Sequence, residues 1–187
     1  MLLAALVCAA ARVSAQGLTI ETGGDSLKVH APGFSFLKGE PLVRLKDGRS
    51  VRVELGAIVL AAPGKTPAAA VRRIFSLSYD LWEERFAATT VDGAAQSVSH
   101  LALAAAEAWC VEHLTIPMNA LAALGRDGAF WVRLEYRILD ADVTGDPAES
   151  GYTLQALIDA LSRKRKAASP PRVLEGGPFH LPPRSSS

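Results

Sequence analysis

Apolar and polar residues alternate over much of the first 140 positions of the chain. In Val51–Leu55, three apolar side chains alternate with two charged ones, which is the period of a half-buried β-strand. The same pattern, or a short apolar run between turn signals, recurs along the sequence. The predicted strands are 18–22, 26–30, 50–60, 71–79, 84–91 and 130–139.

Glycine, proline and an alanine-rich segment divide these strands. Gly56 interrupts the strongest strand, and we interpret it as a β-bulge. Residues 99–114 are rich in alanine and leucine and predict one main helix. Ser97 or Ser99 is the expected N-cap of this helix, and Pro117 is expected to end it.

Strands with one apolar face and one polar face are typical of antiparallel sheets. The expected fold is therefore mainly β within the α+β class. It is an antiparallel β-sandwich-like domain with one main covering helix and a short C-terminal helix.

The two ends of the chain differ in composition from the middle. Residues 1–15 form an apolar run that ends in Val13–Ala15, a pattern typical of a cleaved signal peptide, although no Lys or Arg opens it. A buried N-terminal helix is the alternative. We expect a β-rich domain over 16–142, a linker with a short basic amphipathic helix over 143–166, and a disordered Pro/Ser-rich tail over 167–187.

Charge and cysteine content exclude several protein classes. The 20 basic residues nearly balance the 19 acidic ones, so no overall positive field favours nucleic acid. After signal removal only Cys110 remains, which cannot form an internal disulfide. No second apolar run is long enough for a transmembrane helix.

Three groups of residues are candidates for chemistry. Cys110 and His113 are three positions apart on the predicted helix, so they could share a face and form an activated thiolate or two metal ligands. The favoured interpretation is that Cys110 acts as a small apolar residue. Acidic clusters in Asp80–Glu84 and Asp140–Asp146 lack the context of a glycosidase or calcium site. We therefore predict no catalytic residue, no metal site and no cofactor.

Surface recognition is the better-supported use of the polar and aromatic residues. Trp82 lies in the turn between two predicted strands, where an exposed tryptophan would serve as a contact anchor. Four consecutive cations, Arg163, Lys164, Arg165 and Lys166, could contact an anionic surface. These five residues are the predicted binding residues.

The order of several segments resembles a known family. The segments are Phe36–Leu42, Leu77–Asp80, Arg85–Phe86, the helix Ser99–His113, and Arg133–Asp140. Their order over about residues 18–142 is similar to that of the DUF4390 family of exported bacterial proteins. The resemblance implies an envelope protein of unknown role, and it supplies no catalytic residues.

The expected function is that of an exported, non-catalytic binding or interaction domain of the bacterial cell envelope, located in the periplasm or outside the cell. Its expected partner is an envelope protein or an anionic surface. One alternative is a periplasmic carrier of a small apolar ligand. The other is an enzyme with a site around Cys110 and His113.

Overall fold

The computed structural model describes residues 17–124, 128–139 and 172–181. The predicted signal peptide (1–15), the linker and basic helix (143–166), and the ends of the predicted tail (167–171 and 182–187) lie outside the described residues. Within the described part, no helix is long and apolar enough to cross a membrane.

Nine strands, two α-helices and one 3-10 helix make up the described fold. The strands are β1 (Thr19–Gly23), β2 (Ser26–His30), β3 (Val51–Leu60), β4 (Pro67–Asp80), β5 (Arg85–Thr90), β6 (Ser97–Leu101), β7 (Thr115–Pro117), β8 (Phe130–Leu139) and β9 (Arg172–Phe179). The helices are α1 (Glu40–Lys46), α2 (Leu103–Glu112) and the 3-10 helix Met118–Leu124.

Two antiparallel sheets share one core. The larger sheet has the order β6-β5-β4-β3-β8-β9, and the smaller one has the order β1-β2-β7. Alternate residues of β3, from Val51 to Val59, face the core, which also takes side chains from β2, β7 and α2. The fold is therefore mainly β in the α+β class, as the alternation predicts.

Helix α2 is joined to the segment before α1 through a buried carboxylate. Oε1 of Glu107, a residue that is only 5% exposed, accepts hydrogen bonds from the backbone N–H groups of Phe36 and Leu37 at 2.7 Å each. It also accepts one from the Ser35 hydroxyl at 2.9 Å. Phe36 and Leu37 are core residues, so this carboxylate supplies an acceptor where water cannot.

The C-terminal segment corrects the prediction of a disordered tail. Residues 172–179 form strand β9, which pairs with β8 along the edge of the large sheet. Phe179 is fully buried, and its ring lies 5.8 Å from that of Phe130. Proline-rich composition favoured disorder, but an edge strand tolerates Pro178 because one side of its backbone needs no sheet hydrogen bonds.

Two further details differ from the prediction. Ser97–Leu101 is a strand, so Ser97 and Ser99 do not cap the helix; α2 begins after Ala102, which makes no side-chain cap. Gly56 is not a bulge, because it pairs in register with Arg72 and Glu135. A Cβ at Gly56 would lie 3.4 Å from Cγ of Arg72. The absence of a side chain at Gly56 therefore leaves room for the Arg72 side chain to lie over strand β3.

Candidate functional site

The turn between β4 and β5 is fixed by Asp80. Its Oδ1 accepts hydrogen bonds from the backbone N–H groups of Trp82 at 2.8 Å and Glu83 at 3.1 Å. These N–H groups lower the pKa of Asp80 from its ordinary value of 3.8, because they stabilise the charged carboxylate. The turn is therefore held by local hydrogen bonds, and it presents Trp82 with 96% of the residue exposed.

A β-bulge lies beside this turn, in edge strand β6. Phe86 pairs with Leu101 and Ala88 pairs with Val98, so Ser99 and His100 lie opposite the single residue Ala87. His100 has a φ of +61°, in the left-handed region that costs energy for residues other than glycine. Consecutive side chains of a regular strand point to opposite faces, whereas this bulge brings both to one pocket.

Three side chains form a continuous hydrogen-bonded chain across the bulge and the turn. The Ser99 hydroxyl Oγ lies 2.8 Å from Nδ1 of His100. Nε2 of His100 lies 2.8 Å from Oε2 of Glu83. The imidazole therefore has a hydroxyl on one nitrogen and a carboxylate on the other.

These groups line a pocket of about 300 Å³ on the outer face of the large sheet, at its β4-β5-β6 corner. Ser78 and Ala87, which lie opposite each other in the register, also line it, and their small side chains leave the depression between the larger ones. Arg85 also lines the pocket, and it makes no ion pair among the described residues. The pocket thus combines an unpaired cation with the Ser99–His100–Glu83 chain.

Elsewhere the outer face of this sheet carries an ion-pair network. Arg72 lies 3.6 Å from Glu54 and 3.9 Å from Glu135, and Arg137 also reaches Glu54 at 3.9 Å. These long, partly exposed pairs contribute little to stability. They cover the polar face of β3, β4 and β8 and form no enclosed site.

The Cys110–His113 pair, considered as an alternative enzyme site, is not assembled as a reactive pair. Cys110 is fully buried, and burial, followed by the nearby Glu107 charge, raises the pKa of its thiol to about 12. Nδ1 of His113 lies 2.7 Å from the Trp109 carbonyl oxygen, and its ring packs 3.8 Å from the Trp109 ring. The geometry fits the favoured interpretation of an apolar, unreactive cysteine.

The other predicted residues divide between the turn and the undescribed segments. Trp82 lies at the exposed hairpin tip, and the acidic Asp80–Glu84 cluster serves to fix the turn and to orient His100. Residues 140–146 and the cations Arg163–Lys166 lie outside the described residues. Sequence reasoning missed Ser99 and His100 as a site, because only the strand pairing reveals the bulge.

Comparison with known proteins found no matching family model, no matching curated protein and no matching solved structure. The resemblance to the DUF4390 family therefore stays a prediction.

Proposed function

We propose that the protein is an exported binding domain of the bacterial cell envelope, which contacts a partner protein through the tip of the β4–β5 hairpin. The observation that carries the proposal is the exposure of Trp82, 96%, on a turn that Asp80 holds in place. Leu81 beside it is 57% exposed. Export to the periplasm or beyond is supported by the apolar residues 1–15 and the site after Ala15.

Burial of one tryptophan is enough to anchor an interface. A Trp side chain covers about 200 Å², so at about 25 cal/mol per Å² its removal from water contributes at most about 5 kcal/mol before the entropic and desolvation costs of association are subtracted. Tryptophan is accordingly enriched among the residues that dominate binding energy. The cations Arg163, Lys164, Arg165 and Lys166 are proposed as a second contact, with an acidic partner or an anionic surface. Binding of this kind requires no cofactor.

Proximity labelling in the native bacterium tests this function, with the label fused after Ser187. We expect one or two envelope proteins to be enriched, and we expect Trp82→Ala to abolish their enrichment. Val173→Ala is the matched control, because Val173 is an exposed apolar residue, 52% exposed, on the opposite edge strand β9.

Unchanged enrichment with Trp82→Ala, alone and combined with neutralised residues 163–166, would show that the partner binds another surface. If no protein is enriched at all, partner binding is wrong. Native mass spectrometry of the protein from its host would then test the alternative of a small apolar ligand, which a carrier would retain.

A further inference from the structure

The pocket beside the hairpin contains the parts of a nucleophilic site. A hydroxyl, an imidazole and a carboxylate are joined in series at 2.8 Å and 2.8 Å, within the range for a nucleophile, its base and the group that orients the base. Such sets are recognised by geometry and roles rather than by their order in the sequence. Here the nucleophile and the base are neighbours, which only the bulge at Ser99–His100 makes possible.

We propose that Ser99 is the nucleophile of an esterase site, with His100 as its general base, Glu83 as the residue that positions His100, and Arg85 as the stabiliser of negative charge. The proposal goes beyond the proposed binding function. It also departs, at this one pocket, from the expectation of a non-catalytic domain. The substrate class is a small carboxylic ester, because the pocket of about 300 Å³ is at the lower end of the ligand-site range.

One tautomer of His100 gives the proton positions that the reaction requires. When Nε2–H of the neutral imidazole donates to Glu83, Nδ1 carries the lone pair and accepts the Ser99 hydroxyl proton. Glu83 then stabilises the imidazolium that forms when Ser99 gives up its proton. Arg85 has no ion-pair partner among the described residues, so its charge is free to stabilise an oxyanion in the same pocket.

The reaction proceeds in two balanced steps. Oγ of Ser99 forms a bond to the ester carbonyl carbon while its proton passes to Nδ1 of His100, and the carbonyl oxygen becomes an oxyanion beside Arg85. When the carbon–oxygen bond to the leaving group breaks, the alcohol departs with the proton from His100. Water then attacks the acyl-serine in the same way, and it releases the carboxylic acid and restores the Ser99 hydroxyl.

Backbone strain at the bulge is consistent with this role. Left-handed conformations in residues other than glycine, and β-bulges, both occur preferentially at functional sites. His100 has a φ of +61°, and its ring lies between Ser99 and Glu83.

Labelling and kinetics on the full chain test the proposal. We expect an alkyl fluorophosphonate to add to Ser99, as mapped by peptide mass spectrometry, and p-nitrophenyl acetate to be hydrolysed. Ser99→Ala should abolish the label and lower kcat/KM by about 100-fold. Ser97→Ala is the matched control on the same exposed strand, and it should keep both label and rate. Glu83→Gln should lower kcat and leave KM unchanged, as expected of a positioning residue.

Three results would overturn the proposal, provided that circular dichroism shows folded protein. The first is that the wild-type chain is neither labelled at Ser99 nor active above buffer. The second is that the Ser99→Ala variant hydrolyses the ester at the wild-type rate. The third is that the label maps to a residue other than Ser99. The second result would mean that the imidazole acts alone. None of these outcomes bears on partner binding, which Trp82→Ala tests separately.

Discussion

Removal of the Glu107 carboxylate should strongly destabilise the fold. In the wild type, the backbone N–H groups of Phe36 and Leu37 donate to Oε1 of Glu107 at 2.7 Å each. In Glu107→Ala they lose this acceptor inside the core. An unsatisfied buried donor costs about 1–3 kcal/mol, so the free energy of unfolding should fall by about 2–6 kcal/mol. This is a large share of the roughly 5–15 kcal/mol that stabilises a typical domain.

A graded series separates the lost acceptor from other effects. Glu107→Gln keeps an acceptor oxygen and loses only the charge assistance, so it should cost about 1–2 kcal/mol. Glu112→Gln is the control on the same helix, since Glu112 is half exposed and, among the described residues, its ion-pair partner is the partly exposed His30 at 3.4 Å. It should cost less than about 1 kcal/mol.

Urea unfolding followed by circular dichroism measures each variant, and equal m-values would show that the unfolded states are comparable. Two results would refute the reasoning. One is a Glu107→Ala variant within about 0.5 kcal/mol of the wild type, the range of ordinary surface changes. The other is a Glu107→Gln variant as unstable as Glu107→Ala, which would show that the side chain matters for packing rather than as an acceptor.

Three further outcomes are expected. Gly177→Ala should lower the free energy of unfolding in urea by about 2–5 kcal/mol, because φ of Gly177 is +147° and a Cβ would lie 2.6 Å from Cδ1 of Trp131. Gly64 is the control: its φ is +73° and no atom lies within 4 Å of the added Cβ, so Gly64→Ala should cost only about 1 kcal/mol. Equal losses in the two variants would contradict this reasoning. Cys110, whose pKa is raised to about 12 by burial, should resist iodoacetamide at neutral pH in the native protein and react in urea. The pKa of Asp80 is lowered by its two backbone donors, so its stabilising effect should be present above its ordinary value of 3.8 and disappear as pH falls through the lower folded value. An NMR titration midpoint at or above 3.8 would contradict that assignment.

The strands with a clear alternating pattern were predictable from the sequence. In β3 the odd-numbered residues Val51, Val53 and Leu55 are buried, and the even-numbered Arg52 and Glu54 are not, as the period of two requires. The β1–β2 hairpin follows from Gly24, which adopts a φ of +56° at the turn. In these segments local pattern and tertiary burial agree, so each could be inferred without knowledge of the partner strands.

The candidate site was only half predictable. The position of Trp82 in a turn between two strands was predictable, whereas the structure decided that its side chain is exposed rather than folded back on the core. The Ser99–His100 pair was not predictable, because its alignment depends on how β6 pairs with β5 some ten residues away along the chain. In an isolated strand these side chains would point to opposite faces, so no spacing rule could have joined them to each other or to Glu83.

By itself, the sequence determined the mainly β class, the strand faces and the hairpin turns, because these depend on the periodicity and backbone preferences of neighbouring residues. Only the tertiary structure decided that β9 is a strand, that Glu107 binds the Ser35–Leu37 segment, and that Glu83, Ser99 and His100 meet in one pocket. Each of these requires pairing between distant segments. Such pairing is stabilised by the side chains that it buries, and the register decides which side chains those are. The local pattern of one segment does not identify the distant segment with which it pairs.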